Sequence, residues 1–194
     1  MKLRFRSILW ITLSLLALCG ASAQRKYDIK SGVITFENKI AILGKAAPQK
    51  QILYFDDYGK RERKELYEGD ILREAYVCDG KELFNVIYEE STAYRSGPSA
   101  LGTEARFAGD SLPPSTKQVK IKKFPAMKIA GKNCSAYEMT ENDATTTLAG
   151  WGHMTLYTSS DAGGIHSASK AVKIEENVSI PEEMFRVPPK FRVK

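Results

Sequence analysis

Apolar residues fall on alternate positions over much of this chain, and that period of two constrains its fold more than any other feature. Ile34, Phe36, Ile40 and Ile42 alternate with other residues, with Asn38 as the one polar break. Val172, Ile174, Val178 and Ile180 do the same against Lys173, Glu175, Asn177 and Ser179. Side chains point to opposite faces along a strand, so this pattern describes a sheet with one buried face. The expectation is that Val172, Ile174, Val178 and Ile180 share one core, with Lys173, Glu175 and Asn177 in water.

Shorter runs rich in Ile, Val, Tyr, Phe and Thr lie between these two segments: Gln51–Asp56, Glu65–Tyr67, Ile71–Cys78, Leu83–Tyr88, Val119–Lys123, Ala136–Thr140 and Trp151–Thr158. Such residues favour strands. Turn signals separate them at hairpin distances: Asp57-Tyr58-Gly59, Glu68-Gly69-Asp70, Asp79-Gly80, Ala130-Gly131-Lys132 and Glu141-Asn142-Asp143. The expected fold is mainly β, a curved antiparallel sheet forming an open half-barrel with one or two short helices. Ser96–Ser115 breaks the pattern, being rich in Gly, Pro, Ser and Ala, and Ala100–Phe107 inside it has room for two helical turns. It reads as a connector or as a mobile binding loop.

The first residues have a separate purpose. Lys2, Arg4 and Arg6 precede an apolar run from Ile8 to Leu18, and Ala21-Ser22-Ala23 follows. That is the layout of a secretory signal peptide, residues 1–23, with the mature chain at 24–194 as one domain in the periplasm or outside the cell. The run is too short for a transmembrane span. Cys19 lies in a sequence resembling a lipidation site, but Leu18 stands where a small residue is needed, which argues against a lipid anchor there.

The whole chain carries a formal charge of +6, of which three positive charges belong to the leader. The mature part is therefore near +3, from 26 basic and 23 acidic residues, and nucleic acid loses its compositional support as a partner. In Lys60-Arg61-Glu62-Arg63-Lys64-Glu65 both signs are interleaved. The run reads as a solvated face or as a docking patch. Cys78 and Cys134 remain in the mature chain. In an oxidising compartment they either pair, closing a loop worth roughly 4 kcal/mol in the chain-entropy model, or stay as two buried thiols.

Catalytic patterns are missing from the sequence. Ser99 and Ser111 have no G-x-S-x-G around them. His153 and His166 lie far in sequence from both cysteines and no C-x-x-C occurs, so no metal site is expected. Asp56-Asp57 reads as turn chemistry rather than a carboxylate pair, and Gly163-Gly164 as a hairpin rather than a phosphate loop. The expectation is a non-enzyme without a cofactor. The aromatics are more suggestive. Tyr54, Tyr76, Phe84, Tyr88, Trp151 and Tyr157 sit in or beside strands, where they line an apolar cavity in an incomplete barrel or simply fill its core.

Several motifs together resemble a family. They are Tyr27-Asp28-Ile29-Lys30-Ser31-Gly32, Tyr54-Phe55-Asp56-Asp57-Tyr58-Gly59, Ile129-Ala130-Gly131-Lys132-Asn133-Cys134, Trp151 after a turn, and Ala171–Val178 leading to Phe185-Arg186-Val187-Pro188. The pattern resembles uncharacterised secreted envelope proteins of Bacteroidetes-type bacteria, distantly similar to periplasmic lipoprotein carriers of the LolA/LolB kind. That resemblance implies an open barrel of about eleven strands, a helical lid and a cavity for acyl chains. Only Ala100–Phe107 and Pro181–Phe185 offer helices for a lid, and no functional residue of the carriers maps onto this chain. The function expected is binding of an apolar ligand, a lipid or acylated protein, on the concave face. The alternative is a structural or protein-interaction module of the envelope with a filled core.

Overall fold

The computed structural model describes residues 25–42, 45–98 and 119–194. The expected signal peptide, Cys19 and most of the Ser96–Ser115 insertion, including its helical candidate Ala100–Phe107, lie outside the described residues.

The described chain forms twelve strands in one curved, unclosed sheet. In chain order they are β1 (Gly32–Ile42), β2 (Lys45–Asp56), β3 (Arg61–Glu68), β4 (Ile71–Cys78), β5 (Glu82–Ile87), β6 (Thr92–Pro98), β7 (Val119–Ile129), β8 (Lys132–Glu141), β9 (Ala144–Trp151), β10 (Met154–Ala162), β11 (Ile165–Glu176) and β12 (Arg192–Val193). Their order across the sheet is β12-β6-β5-β4-β3-β2-β1-β11-β10-β9-β8-β7. The chain thus makes two antiparallel meanders joined where β1 pairs with β11, and β12 returns to add a short parallel edge to β6. The mainly β open sheet is the fold the alternation predicts. Its described helical content is single 3-10 turns, at Asp57–Gly59 and at Glu182–Phe185, the latter within the predicted Pro181–Phe185.

The register assigns side chains to faces. Ile34, Leu53, Lys64, Tyr76, Asn85 and Tyr94 form one cross-strand row. Val33, Tyr54, Arg63, Val77, Phe84 and Arg95 form the adjacent row on the opposite face. The first face is the inner one. Ile34, Phe36 and Phe55 from β1 and β2 pack there with Ile129, Cys134, Ala136, Ala149, Met154 and Leu156. Strands distant in sheet order meet in this core because the sheet curls. Register shifts at Thr35/Phe36, Leu66/Tyr67, Phe124/Met127 and Thr155/Tyr157 supply the bends, since a bulged strand twists more strongly.

A second core lies on the outer face. Ala75, Val77, Phe84, Val86 and Ala93 are covered by Tyr88, Val187 and Phe191. The C-terminal segment after β11 therefore crosses the back of β3–β6, while the N-terminal segment before β1 packs on the inner side.

One alternative is decided and two sequence expectations are corrected. Cys78 and Cys134 are not joined; each is a buried thiol, on strands separated by six others in the sheet order. Val172 is 44 % exposed rather than part of the core. The bulge opposite Thr35/Phe36 sits there, pairing Phe36 with Ala171 and Thr35 with Lys173, so Val172 is the extra residue and Ala171 takes the buried position. Ile174 does pack against the inner core, but β11 stops at Glu176, before Val178 and Ile180. Trp151 ends β9 instead of opening a strand: Gly152 and His153 both have positive φ, 57° and 64°, and form the hairpin to β10, as a type I′ turn requires.

Candidate functional site

The inner face holds a cavity of about 110 Å³ lined by Ile34, Phe36, Gln51, Leu53 and Lys64 from β1–β3, by His153, Met154 and Thr155, and by Lys26 and Tyr27. Its floor is mostly apolar, formed by the alternate residues Ile34 and Phe36 of β1 and Leu53 of β2, with Gln51 beside them. Its wall is the N-terminal segment. The Lys26 and Tyr27 amides both donate to the Tyr58 carbonyl, at 3.0 Å each, and the Tyr58 amide donates to the Lys30 carbonyl at 2.9 Å. Asp28 N–H reaches the Gly152 carbonyl at 3.2 Å. The Tyr27 ring meets Phe55 edge-on, with centroids 4.9 Å apart.

Charge at the cavity is largely internally matched. Lys26 Nζ lies 2.7 Å from Glu62 Oε2, with the two side chains 10 % and 17 % exposed. Tyr27 donates to the other Glu62 oxygen at 2.5 Å. His153 Nδ1 sits 2.9 Å from Asp28 Oδ1 at the exposed end. His166 makes the equivalent contact with Asp161, 3.0 Å away at the β10–β11 hairpin. Asp56 holds Arg61 and Asp57 faces Lys60 at 3.7 Å, so this acidic pair braces its own turn, through ion pairs rather than bonds to the backbone. Among the described residues no group of three or more His, Cys, Asp or Glu side chains is placed to hold a metal ion. No described helix is long and apolar enough to cross a membrane.

The six aromatics predicted to line a cavity are divided between the two faces, and none borders this one. Tyr76 is in the inner row beside Lys64, whose Nζ lies 5.2 Å from the ring centroid. Trp151 and Tyr157 pack on the inner core, with Lys132 Nζ 4.1 Å from the Trp151 ring. Tyr54 and Phe84 are in the outer row, and Tyr88 belongs to the outer core. The residues that do form the wall, Lys26 and Tyr27, belong to a motif visible in the sequence. Their signal is its pairing with the Tyr54–Gly59 motif, which the fold brings into contact.

The charged run of β3 is neither a solvated face nor a docking patch throughout. Arg63 and Glu65 are buried on the outer face, their side chains 7 % and 6 % exposed and 2.7 Å apart. Arg63 also donates to Tyr88 and to the Met184 carbonyl, the latter at 3.4 Å. Tyr67 donates to Glu65 at 2.7 Å. Burial, reinforced by hydrogen bonding to the Glu65 carboxylate and its charge, pushes the Tyr67 phenol well up. Burial and the Glu65 charge do the same to Tyr54.

No family model and no curated protein matches this sequence. Solved structures do match the fold. An uncharacterized conserved protein from Thermus thermophilus superposes with a TM-score of 0.56 at 12 % identity, over 86 % of this chain and 91 % of that one. MucB, in its complex with MucA(peri), gives 0.51 at 15 % identity, over 90 % of this chain but 59 % of MucB. A LolA superfamily protein from Nitrosomonas europaea is also similar, with a TM-score of 0.40 at 10 % identity over 84 % of this chain and 93 % of that one. At these identities the likeness is one of fold.

Proposed function

We propose that this chain is a non-enzymatic binding module of the cell envelope whose inner face receives a partner protein or lipoprotein. The observation that carries this reading is the size of the inner cavity. Ligand pockets for small molecules run to about 300–1,000 Å³, and even benzene takes an apolar cavity of about 150 Å³. At about 110 Å³, the site has room for one apolar side chain or chain end, not for an enclosed lipid. The solved complex of MucB with MucA(peri) supports the same reading, since a protein that contains a similar fold is there bound to another protein.

The second reading, a carrier of lipid or an acylated protein, draws on the apolar floor of Ile34, Phe36, Leu53 and Met154. One experiment separates the two. A photo-crosslinking residue replaces Tyr76, on the inner row, and in a control Val172, on the exposed bulge. Irradiation in the native envelope is expected to give one discrete protein adduct from position 76 and none from 172. A stoichiometric lipid in the solvent extract with no adduct supports the carrier instead. With neither adduct nor lipid, both readings fall.

A further inference from the structure

The C-terminal segment is built differently from the rest of the molecule. Residues 181–194 cross the outer face of β3–β6 as a single layer, with Phe185, Val187 and Phe191 as apolar anchors. Phe185 is 1 % exposed and lies under the Arg61 guanidinium, 5.2 Å from its ring centroid. Phe191 meets Tyr88 edge-on at 5.2 Å. Among the described residues few hydrogen bonds to main-chain groups hold the segment to the body: Arg63 to the Met184 carbonyl at 3.4 Å, Arg192 N–H to the Ser91 carbonyl at 3.1 Å, Lys194 N–H to the Ala93 carbonyl at 2.9 Å, and Arg95 N–H to the Lys194 carbonyl at 2.9 Å. Upstream, the chain is fixed where Asn177 N–H donates to the Ser31 carbonyl at 2.7 Å and the Ser31 hydroxyl donates to the Val178 carbonyl at 2.8 Å. Between that anchor and the first anchor ring lie Ser179, exposed, and Pro181.

We propose that Pro181–Lys194 is a strap that lifts from the outer face as a unit, hinged at Ser179–Pro181, while the inner core stays folded. Two physical points support it. First, the two cores share no apolar residue, so exposing the outer one leaves the packing of Ile34, Phe55 and Leu156 intact. Second, the closed strap covers an ion pair. Keeping Arg63 and Glu65 from water carries a desolvation penalty, and opening relieves it, offsetting part of the cost of exposing the phenylalanines. Segments with few ties of this kind open below the global unfolding free energy. The open form exposes the strip of Ala75, Val77, Phe84, Val86 and Ala93 together with the main-chain edge of β6.

Amide hydrogen exchange on the full chain tests this. The Arg95, Arg192 and Lys194 amides are expected to exchange at least a hundredfold faster than the ladder amides of β1 and β2, with little dependence on added urea. Phe191→Ala is expected to speed the three strap amides at least tenfold more and to leave β1 and β2 unchanged. Exchange of the strap in step with β1 and β2, with the same urea slope, overturns the proposal. So does an equal acceleration of strap and body in Phe191→Ala. If that variant does not fold, the urea slopes of the unaltered chain decide alone.

Discussion

Tyr27 donates its phenolic hydrogen to Glu62, 35 residues away, at 2.5 Å, and Lys26 takes the other carboxylate oxygen at 2.7 Å. One carboxylate on β3 thereby binds both side chains of the N-terminal wall of the cavity, beside the main-chain bonds to Tyr58 and Gly152. Tyr27→Phe removes the phenolic bond to this carboxylate and is expected to cost about 1.5–3 kcal/mol. Glu62→Ala leaves a buried ammonium without its partner and is expected to cost about 3 kcal/mol or more. Urea unfolding of the two variants measures both, and a Glu62→Ala loss no larger than that of Tyr27→Phe contradicts the arrangement.

Gly59 has φ +83°, and a Cβ there would lie 2.6 Å from the Tyr27 ring. Gly69 also has positive φ, +60°, but open space around it. Alanine in the left-handed region costs about 1–2 kcal/mol at either site. Gly59→Ala is expected to exceed Gly69→Ala by at least about 1 kcal/mol more, since the ring clash adds overpacking. Thermal or urea unfolding of the pair reads the difference.

Ile34 is fully buried and Val172 largely exposed. Ile34→Ala is expected to cost about 2–5 kcal/mol. Val172→Ala is expected to stay within about 0.5 kcal/mol, although the two residues look alike in their alternating segments. Equal losses at both positions would mean that the bulge is not where the register places it.

Both thiols are buried, and burial raises the pKa of Cys134. The thiolate is the reactive form. In the folded protein Cys134 is expected to resist alkylation near pH 8 and to react at once in urea. Peptide mapping without reductant is expected to show no Cys78–Cys134 cross-link.

Asp79 caps the β4–β5 turn, its Oδ1 accepting from the Lys81 and Glu82 amides at 2.8 Å each. Partial burial pushes its carboxyl up, but these bonds and the Lys81 charge outweigh it and hold the pKa below its ordinary 3.8. A lowered folded-state pKa stabilises the fold above the unfolded value, and that contribution disappears as pH falls through the folded one. An NMR titration of the Asp79 side chain is expected to show a midpoint below 3.8, and Asp79→Ala is expected to flatten the acid limb of the stability curve.

Where local chemistry and tertiary packing agree, the architecture is readable from residues alone. Ile71–Cys78 is a strand with the predicted bounds, and the predicted turns at Gly59, Gly69, Gly80, Gly131 and Asn142 all fall between strands. The elements that the pattern misses have weak local signals. β9 begins Ala-Thr-Thr-Thr and β6 ends Ser-Gly-Pro, and neither alternates in hydrophobicity. Val172 departs from its expected face because a bulge shifts the alternation by one residue, and no propensity announces it. The site is less legible than the fold. Aromatic identity says nothing of face, whereas Lys26 and Tyr27 act through contact with a turn about 30 residues downstream.

β3 is the strand at which burial changes sides. Glu62 serves the inner wall, while Arg63 and Glu65 lie under the outer segment. Neither face of this strand is spare. A scan of all substitutions would therefore find Arg63 and Glu65, in the most hydrophilic stretch of the sheet, tolerating less change than the partly exposed Thr145, Thr146 and Thr147 of β9. Charge here is a construction material, and a mutational profile that treats it as surface decoration would misjudge which positions tolerate change.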